Sequence, residues 1–172
     1  ADSRLRRADP ALTRLVNGLF RPRRWARLGS TFSGEVVACG PGAARFQLGE
    51  RVFGATGMRL GAHAEYVCLE EAGAITRLPD QLSHEQGAAL PFGGLASHFF
   101  LRRAAIQPGQ RVLVYGASGS LGTAGVQLAR AAGAVVDGVC SAANAALVQS
   151  LGAARVFDYA RENFADVGER YD

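Results

Sequence analysis

Between residues 112 and 122 the chain reads VLVYGASGSLG, an apolar run that breaks into a glycine-rich turn and then into a helix-compatible segment. A buried strand that enters a helix through such a turn needs a crossover to a parallel neighbour, so this stretch commits its surroundings to an α/β layer architecture. The pattern on either side agrees. Strands are expected at residues 111–115, 134–140 and 155–159, and helices at 120–132 and 144–151, the last closed by Gly152 as a C-cap. The order β-α-β-α-β reads as a parallel sheet built by right-handed crossovers.

The turn also carries chemistry. Measured against G-x-G-x-x-G, Ala117 stands at the first glycine while Gly119 and Gly122 keep their places. A side chain at position 119 would keep the backbone away from a pyrophosphate, and glycine at 122 lets the helix pack closely on the strand. The helix start then offers free N–H donors and a positive dipole end. A ligand-free tight turn is the alternative, but the strand, helix and second strand around the glycines make the pattern more specific than a lone triplet.

Dinucleotide-binding sites for NAD place an acid about 20 residues on, at the tip of the second strand, where it holds the ribose 2′-hydroxyl. Here that tip is Val139-Cys140-Ser141. Asp137 comes two to four residues too early and reads as an edge or solvent-facing strand position. The missing acid removes a repulsive charge and favours NADPH, with NADH left open. Ser141, Asn144 and Tyr159 can donate hydrogen bonds there, although no arginine lies between Ser141 and Asn144.

Upstream the pattern differs. Residues 32–39, 51–55, 62–69 and 74–78 read as short strands punctuated by glycine, the signature of an antiparallel sheet or small barrel. A helical connection follows, with Ser83 and Gln86 at capping-box spacing, a break at Pro91 and a second helical stretch over 95–105. With 172 residues the chain has room for one domain or for parts of two. All 19 basic residues are arginine, and eight fall in the first thirty positions against Asp2 and Asp9, so that end carries +6 and the remainder −2. Leu12, Leu15, Val16 and Leu19 are spaced as one helical face, which reads the basic end as a solvated helix rather than a nucleic-acid arm or targeting segment. No apolar run reaches the length of a membrane span. Cys39, Cys68 and Cys140 lie in strand-like runs without a C-x-x-C pair, and are expected as buried thiols in a reducing cytosol.

Six ordered segments carry a resemblance: LGSTFSGEVV at 28–37, LGERVFG at 48–54, GAHAEYV at 61–67, ALPFGGLAS at 89–97, QPGQRVLVYGASGSLGTAGVQLA at 107–129 and LGAARVFDY at 151–159. Over roughly residues 3–172 the chain resembles the medium-chain dehydrogenase/reductase superfamily, in its zinc-free quinone-oxidoreductase-like branch. The resemblance implies a partial chaperonin-like (GroES-like) β-barrel over 1–80 lacking its first strands, a helical connection over 81–106, and the first half of a Rossmann sheet over 107–172. It implies an internal portion of a longer chain, inactive alone, with the nicotinamide lying between the two domains.

Residue by residue, it implies a pyrophosphate loop at Ala117, Ser118, Gly119, Ser120, Leu121 and Gly122, and an adenosine-ribose end at Ser141, Asn144 and Tyr159. Ser97 is implied beside the nicotinamide. Zinc-dependent relatives carry Gly-His-Glu where this chain has Gly29-Ser30-Thr31, and the four-cysteine lobe is missing, so no metal is expected, and His63, His84 and His98 are not read as ligands. Thr31 departs from the acid common at its position. No general acid stands out, and Tyr66 and His63 read as barrel-packing residues. The implied activity is NADPH-dependent hydride transfer to a quinone or an α,β-unsaturated carbonyl, in a cytoplasmic homodimer without nucleic-acid or membrane partners. Alternatives are a zinc-free alcohol dehydrogenase-like enzyme or enoyl reductase, or a catalytically inactive nucleotide-binding or structural remnant.

Overall fold

The computed structural model describes residues 27–172, so the apolar face expected at Leu12, Leu15, Val16 and Leu19 lies outside the described residues. Two compact units divide the chain, Ala1–Ala89 and Leu90–Asp172.

The first unit holds an antiparallel sheet in the order β1-β2-β3, with β1 at Thr31–Glu35, β2 at Arg51–Ala55 and β3 at Ile75–Arg77. Phe32 faces Gly54, and Gly54 faces Ile75 in the register. Gly54 is required there, because a Cβ would strike the Ala74 carbonyl oxygen. Leu28, Phe46, Val52 and Leu78 are buried apolar residues of this unit. Two expected strands are shorter or missing. Regular pairing of β1 stops at Glu35, although Val36 still exchanges single bonds with Glu50 and Gly49. The 62–69 segment is irregular: Ala62 and His63 donate to the Gly29 and Leu28 carbonyls, and no strand follows. A strand exists only where a neighbouring ladder accepts its backbone, and apolar alternation alone does not provide one. Cys39 and Cys68 therefore sit in loops and are exposed, contrary to the expectation of buried thiols; Cys140 is buried.

Helix α1, His84–Ala104, begins in the first unit and continues in the second. Its start is the expected capping box, with the Ser83 N–H donating to Gln86 Oε1 at 2.9 Å and the Gln86 N–H to Ser83 Oγ at 3.3 Å. The break expected at Pro91 does not occur. Proline forfeits one bond, to the Gly87 carbonyl, and crowds that carbonyl. Packing on both sides of the proline offsets this: Gly87 lies against Leu78 and Phe53, while Gly93 abuts Ser120.

The second unit is the expected parallel sheet, order β4-β5-β6, with β4 at Arg111–Tyr115, β5 at Val135–Cys140 and β6 at Arg155–Asp158. Helix α2, Ser120–Ala131, joins β4 to β5, and a short 3-10 turn, Ala142–Asn144, leads into α3, Ala145–Ser150. Gly122, Gly125, Val126 and Ala129 are the buried stripe of α2, at the spacing of one helix face. They meet Ala117, Val136, Cys140 and Val148 in one core.

Asp137 corrects the sequence reading. It is 2% exposed, not solvent-facing, because β5 is the central strand and both of its faces are covered. Val136, Gly138 and Cys140 face the helices, and Asp137 faces the other way. There it accepts from Arg111 Nη2 at 2.9 Å and from the Tyr171 hydroxyl at 3.0 Å. The C-terminal segment supplies that cover: Phe164 packs edge-on to Tyr115, and Asp172 exchanges bonds with the Arg111 backbone. Burial, then the bond to Asp137, raises the Tyr171 phenol above its ordinary range. No helix among the described residues is long and apolar enough to cross a membrane.

Candidate coenzyme site

β4 delivers the chain to Gly116, whose φ of +74° is a conformation side chains avoid. The Gly116 and Ala117 N–H groups both donate to the Val139 carbonyl, tying the turn to β5. Gly119 then donates to the Gly116 carbonyl at 2.9 Å, and the first helical bond runs from the Thr123 N–H to Gly119 O at 2.8 Å. The N–H groups of Ser120, Leu121 and Gly122 precede that bond, where helix geometry leaves donors without an intrahelical acceptor. No side chain caps this end, and no acid occupies its first turn. An anion is the acceptor that such an end lacks.

The two motif glycines have different reasons to be glycine. A Cβ on Gly122 would strike the Gly116 carbonyl oxygen and lie 2.6 Å from Ala117 Cα, so the fold itself demands glycine there. Gly119 has an ordinary extended conformation, φ −80° and ψ 173°, and a Cβ on it would meet only the Gly116 carbonyl oxygen, at 3.3 Å. Among the described residues, packing at 119 asks only that the Gly116 carbonyl yield by a few tenths of an ångström, a far weaker demand than at 122. The cradle that a Cβ would fill is the space that a pyrophosphate needs, so the residues present fit a dinucleotide.

The other expected residues separate into groups. Asn144 Nδ2 donates to Ser118 Oγ at 3.2 Å and to Ser141 Oγ at 3.3 Å, gathering the loop and the β5 tip around one amide. Tyr159 joins them through its N–H, bonded to the Cys140 carbonyl, with its side chain exposed. Ala117 does not join: it is fully buried, its N–H is spent on Val139, and its methyl belongs to the core. Ser97 is buried under α2, its hydroxyl donating to the Leu121 carbonyl at 2.7 Å. Ser120 and Leu121 form the first turn of α2.

Sequence reasoning missed Gly116, Gly93 and Arg161. Gly116 was the glycine next to the apparent gap at Ala117, and Gly93 lies one helical turn before Ser97, a small-residue spacing that marks close helix contact. Arg161 follows the β6 tip, exposed, with its Nε 3.7 Å from Asp158. Burial, then the nearby Asp158 carboxylate, raises the thiol of Cys140, a core residue at the end of β5. His63, His84 and His98 fall at separate places, and His84 Nδ1 lies 2.9 Å from Ser33 Oγ. Among the described residues no group of three or more His, Cys, Asp or Glu could hold a metal. A separate hollow of about 270 Å³ in the first unit, beside Thr56 and Ile75, includes none of these residues.

The alcohol dehydrogenase GroES-like domain matches residues 8–80. A quinone oxidoreductase of Pseudomonas aeruginosa is 39% identical over 80% of this chain and 42% of its own length. A trans-enoyl reductase of Talaromyces variabilis is 36% identical over 95% of the chain and 49% of its own length. Among solved structures, the quinone oxidoreductase of Coxiella burnetii superposes with a TM-score of 0.84 at 31% identity, covering 98% of this chain and 52% of that one. The Escherichia coli quinone oxidoreductase complexed with NADPH gives a TM-score of 0.71 at 28% identity, over 90% of this chain and 48% of that one. The chain thus spans about half the length of the relatives it matches. A GroES-like match, the parallel βαβαβ half-sheet with its glycine loop, and these relatives agree: the chain belongs to the quinone-oxidoreductase-like members of the medium-chain dehydrogenase/reductase superfamily.

Proposed function

We propose that this chain forms the coenzyme loop and part of the substrate domain of a zinc-independent, NADPH-dependent reductase of quinones or α,β-unsaturated carbonyls. The observation that carries the reading is Gly119, a glycine on which the described residues make only a weak packing demand, at the mouth of an uncapped helix start. The N–H groups of Ser120, Leu121 and Gly122 would hold the pyrophosphate, and Ser118, Ser141 and Asn144 the adenosine ribose. A reduced nicotinamide held there would supply a hydride which, with a proton from water, makes up the two-electron reduction of a C=C bond or a quinone. Without a zinc Lewis acid an alkoxide has no comparable stabilisation, which favours these acceptors over alcohol oxidation.

The β5 tip carries no acid, and Arg161 follows Tyr159 at the β6 tip, which supports NADPH over NADH. The NADPH-complexed neighbour supports the same choice. An enoyl thioester is the second reading, favoured by the likeness to a trans-enoyl reductase. The test is fluorescence titration of the protein with NADPH and NADH, followed by turnover on a panel of quinones, enones and enoyl thioesters. NADPH is expected to bind more tightly and Gly119→Val to abolish binding. Tighter NADH binding refutes the 2′-phosphate argument, and unchanged affinity in the variant refutes the loop assignment.

A further inference from the structure

We propose that Ser97 is a positioning residue of the coenzyme loop: its hydroxyl holds and polarises the peptide that presents the Gly122 N–H at the start of α2. The inference rests on the dinucleotide reading above and moves Ser97 from beside the nicotinamide to beneath the loop. A buried serine in a helix ordinarily returns its hydroxyl to the carbonyl four residues back, here Gly93. Ser97 instead crosses from α1 to α2 and donates to the Leu121 carbonyl at 2.7 Å, while only 6% exposed.

That carbonyl and the Gly122 N–H are two ends of one peptide unit. A donor seated on the oxygen draws electron density from the amide and makes its N–H a stronger donor, as in any hydrogen-bonded chain. The Gly122 N–H is one of the groups ahead of the first helical bond. The contact exists because the helices meet through small residues. A Cβ on Gly93 would run into the Ser120 carbonyl and lie 2.6 Å from Ser120 Oγ. On the facing side a Cβ at Gly125 would stand 3.8 Å from Ser97 Oγ. Helix α1 thus rests on the two carbonyls of the α2 first turn, Ser120 through Gly93 and Leu121 through Ser97.

The experiment compares the full chain with Ser97→Ala and Ser97→Cys, the second keeping the volume while removing the strong donor. Each is titrated with NADPH and with adenosine 2′-monophosphate, a probe of the ribose end that has no pyrophosphate. The Gly122 amide proton is followed by NMR without ligand. Both variants are expected to bind NADPH about threefold more weakly, because the Gly122 N–H keeps its bond to the ligand but loses the polarisation and alignment that Ser97 gives it. Adenosine 2′-monophosphate affinity is expected to stay unchanged, and the Gly122 amide proton to move upfield. NADPH affinity that survives both substitutions, or a parallel loss for the two probes, overturns the inference. A parent protein that binds neither NADPH nor NADH instead refutes the dinucleotide reading, which separates the two failures.

Discussion

Alanine placed at Gly119 and at Gly122 should produce opposite phenotypes from the same added methyl group. At Gly122 the new Cβ meets three backbone atoms, the Gly116 carbonyl oxygen and the Cα and carbonyl carbon of Ala117, the last two at 2.6 and 2.7 Å. Backbone in a turn tied twice to Val139 cannot yield cheaply. Overpacking of this kind costs about 1–3 kcal/mol, and contact with backbone alone places the variant at the upper end. The gain in helix propensity returns about 1 kcal/mol, leaving a net loss of about 2 kcal/mol. For a unit of this size that lowers the melting temperature by about 8–16 °C. At Gly119 the backbone is one that alanine adopts freely, and the single neighbour lies at 3.3 Å. The cost is that of alanine in place of glycine at an N-cap, about 0.5–1 kcal/mol. Thermal unfolding followed by circular dichroism, paired with NADPH titration, separates the effects. Gly122→Ala should be the earlier of the two to melt, and Gly119→Ala should melt only about 2–8 °C below the parent but bind coenzyme poorly. If Gly119→Ala binds NADPH as well as the parent, or melts as early as Gly122→Ala, the assignment of one glycine to the ligand and the other to packing is wrong.

The buried Asp137 cluster predicts an alkaline limb of stability. Burial and the bond to Asp137 raise the folded Tyr171 phenol, so its contribution is full below the unfolded value of about 10 and disappears as pH climbs through the folded one. Urea unfolding from pH 8 to 11 should show this decline in the parent and a flatter curve in Tyr171→Phe; identical curves would remove Tyr171 as its source. Thiol labelling under native conditions should modify Cys39 and Cys68 quickly and Cys140 only after unfolding, since burial raises that thiol and covers it; three equally fast thiols would contradict the second unit's packing. Exhaustive chelation should leave reductase turnover unchanged, and a loss restored by zinc would overturn the zinc-independent proposal.

The second unit was largely legible because its elements follow local rules. The apolar run 111–115 and the helix that follows the glycine turn each carry their own signal and appear where expected, as does the Ser83–Gln86 box in the first unit. Features set by distant partners were not legible. Asp137 becomes an interior residue only because Arg111, 26 positions away, and Tyr171, 34 away, converge on it. The destination of the Ser97 hydroxyl depends on how closely Gly93 lets α1 approach α2, which hydrophobic periodicity does not encode. Pro91 looks like a stop signal by propensity, but packing on either side of it overrides that local cost. The apolar pattern over 62–69 has strand character without a partner strand among the described residues.

The bonds between Asp172 and Arg111 bear on where a ligand can enter. In a parallel ladder the N–H and C=O of one residue point to the same side, and Gln110, not Arg111, accepts from β5 through the Val135 N–H. The Arg111 N–H donates to Asp172 Oδ2 at 2.8 Å and its carbonyl accepts from the Asp172 N–H at 3.0 Å, so Asp172 stands on the β4 edge that β5 leaves free. Two crossovers carry the chain outward from β4 to β5 to β6, and the segment after β6 brings it back past its starting strand. The chain thus leaves β4 toward β5 on one side and returns along its other edge, the reversal of direction that marks a topological switch point when a strand follows there. Loops at the carboxyl end of such a strand diverge and leave a crevice between them, and in open α/β sheets that crevice is where ligands bind. The loop at the carboxyl end of β4 is the one that contains Gly116, Ser118 and Gly119, so chain topology selects the same place as the glycine chemistry does, by an independent route.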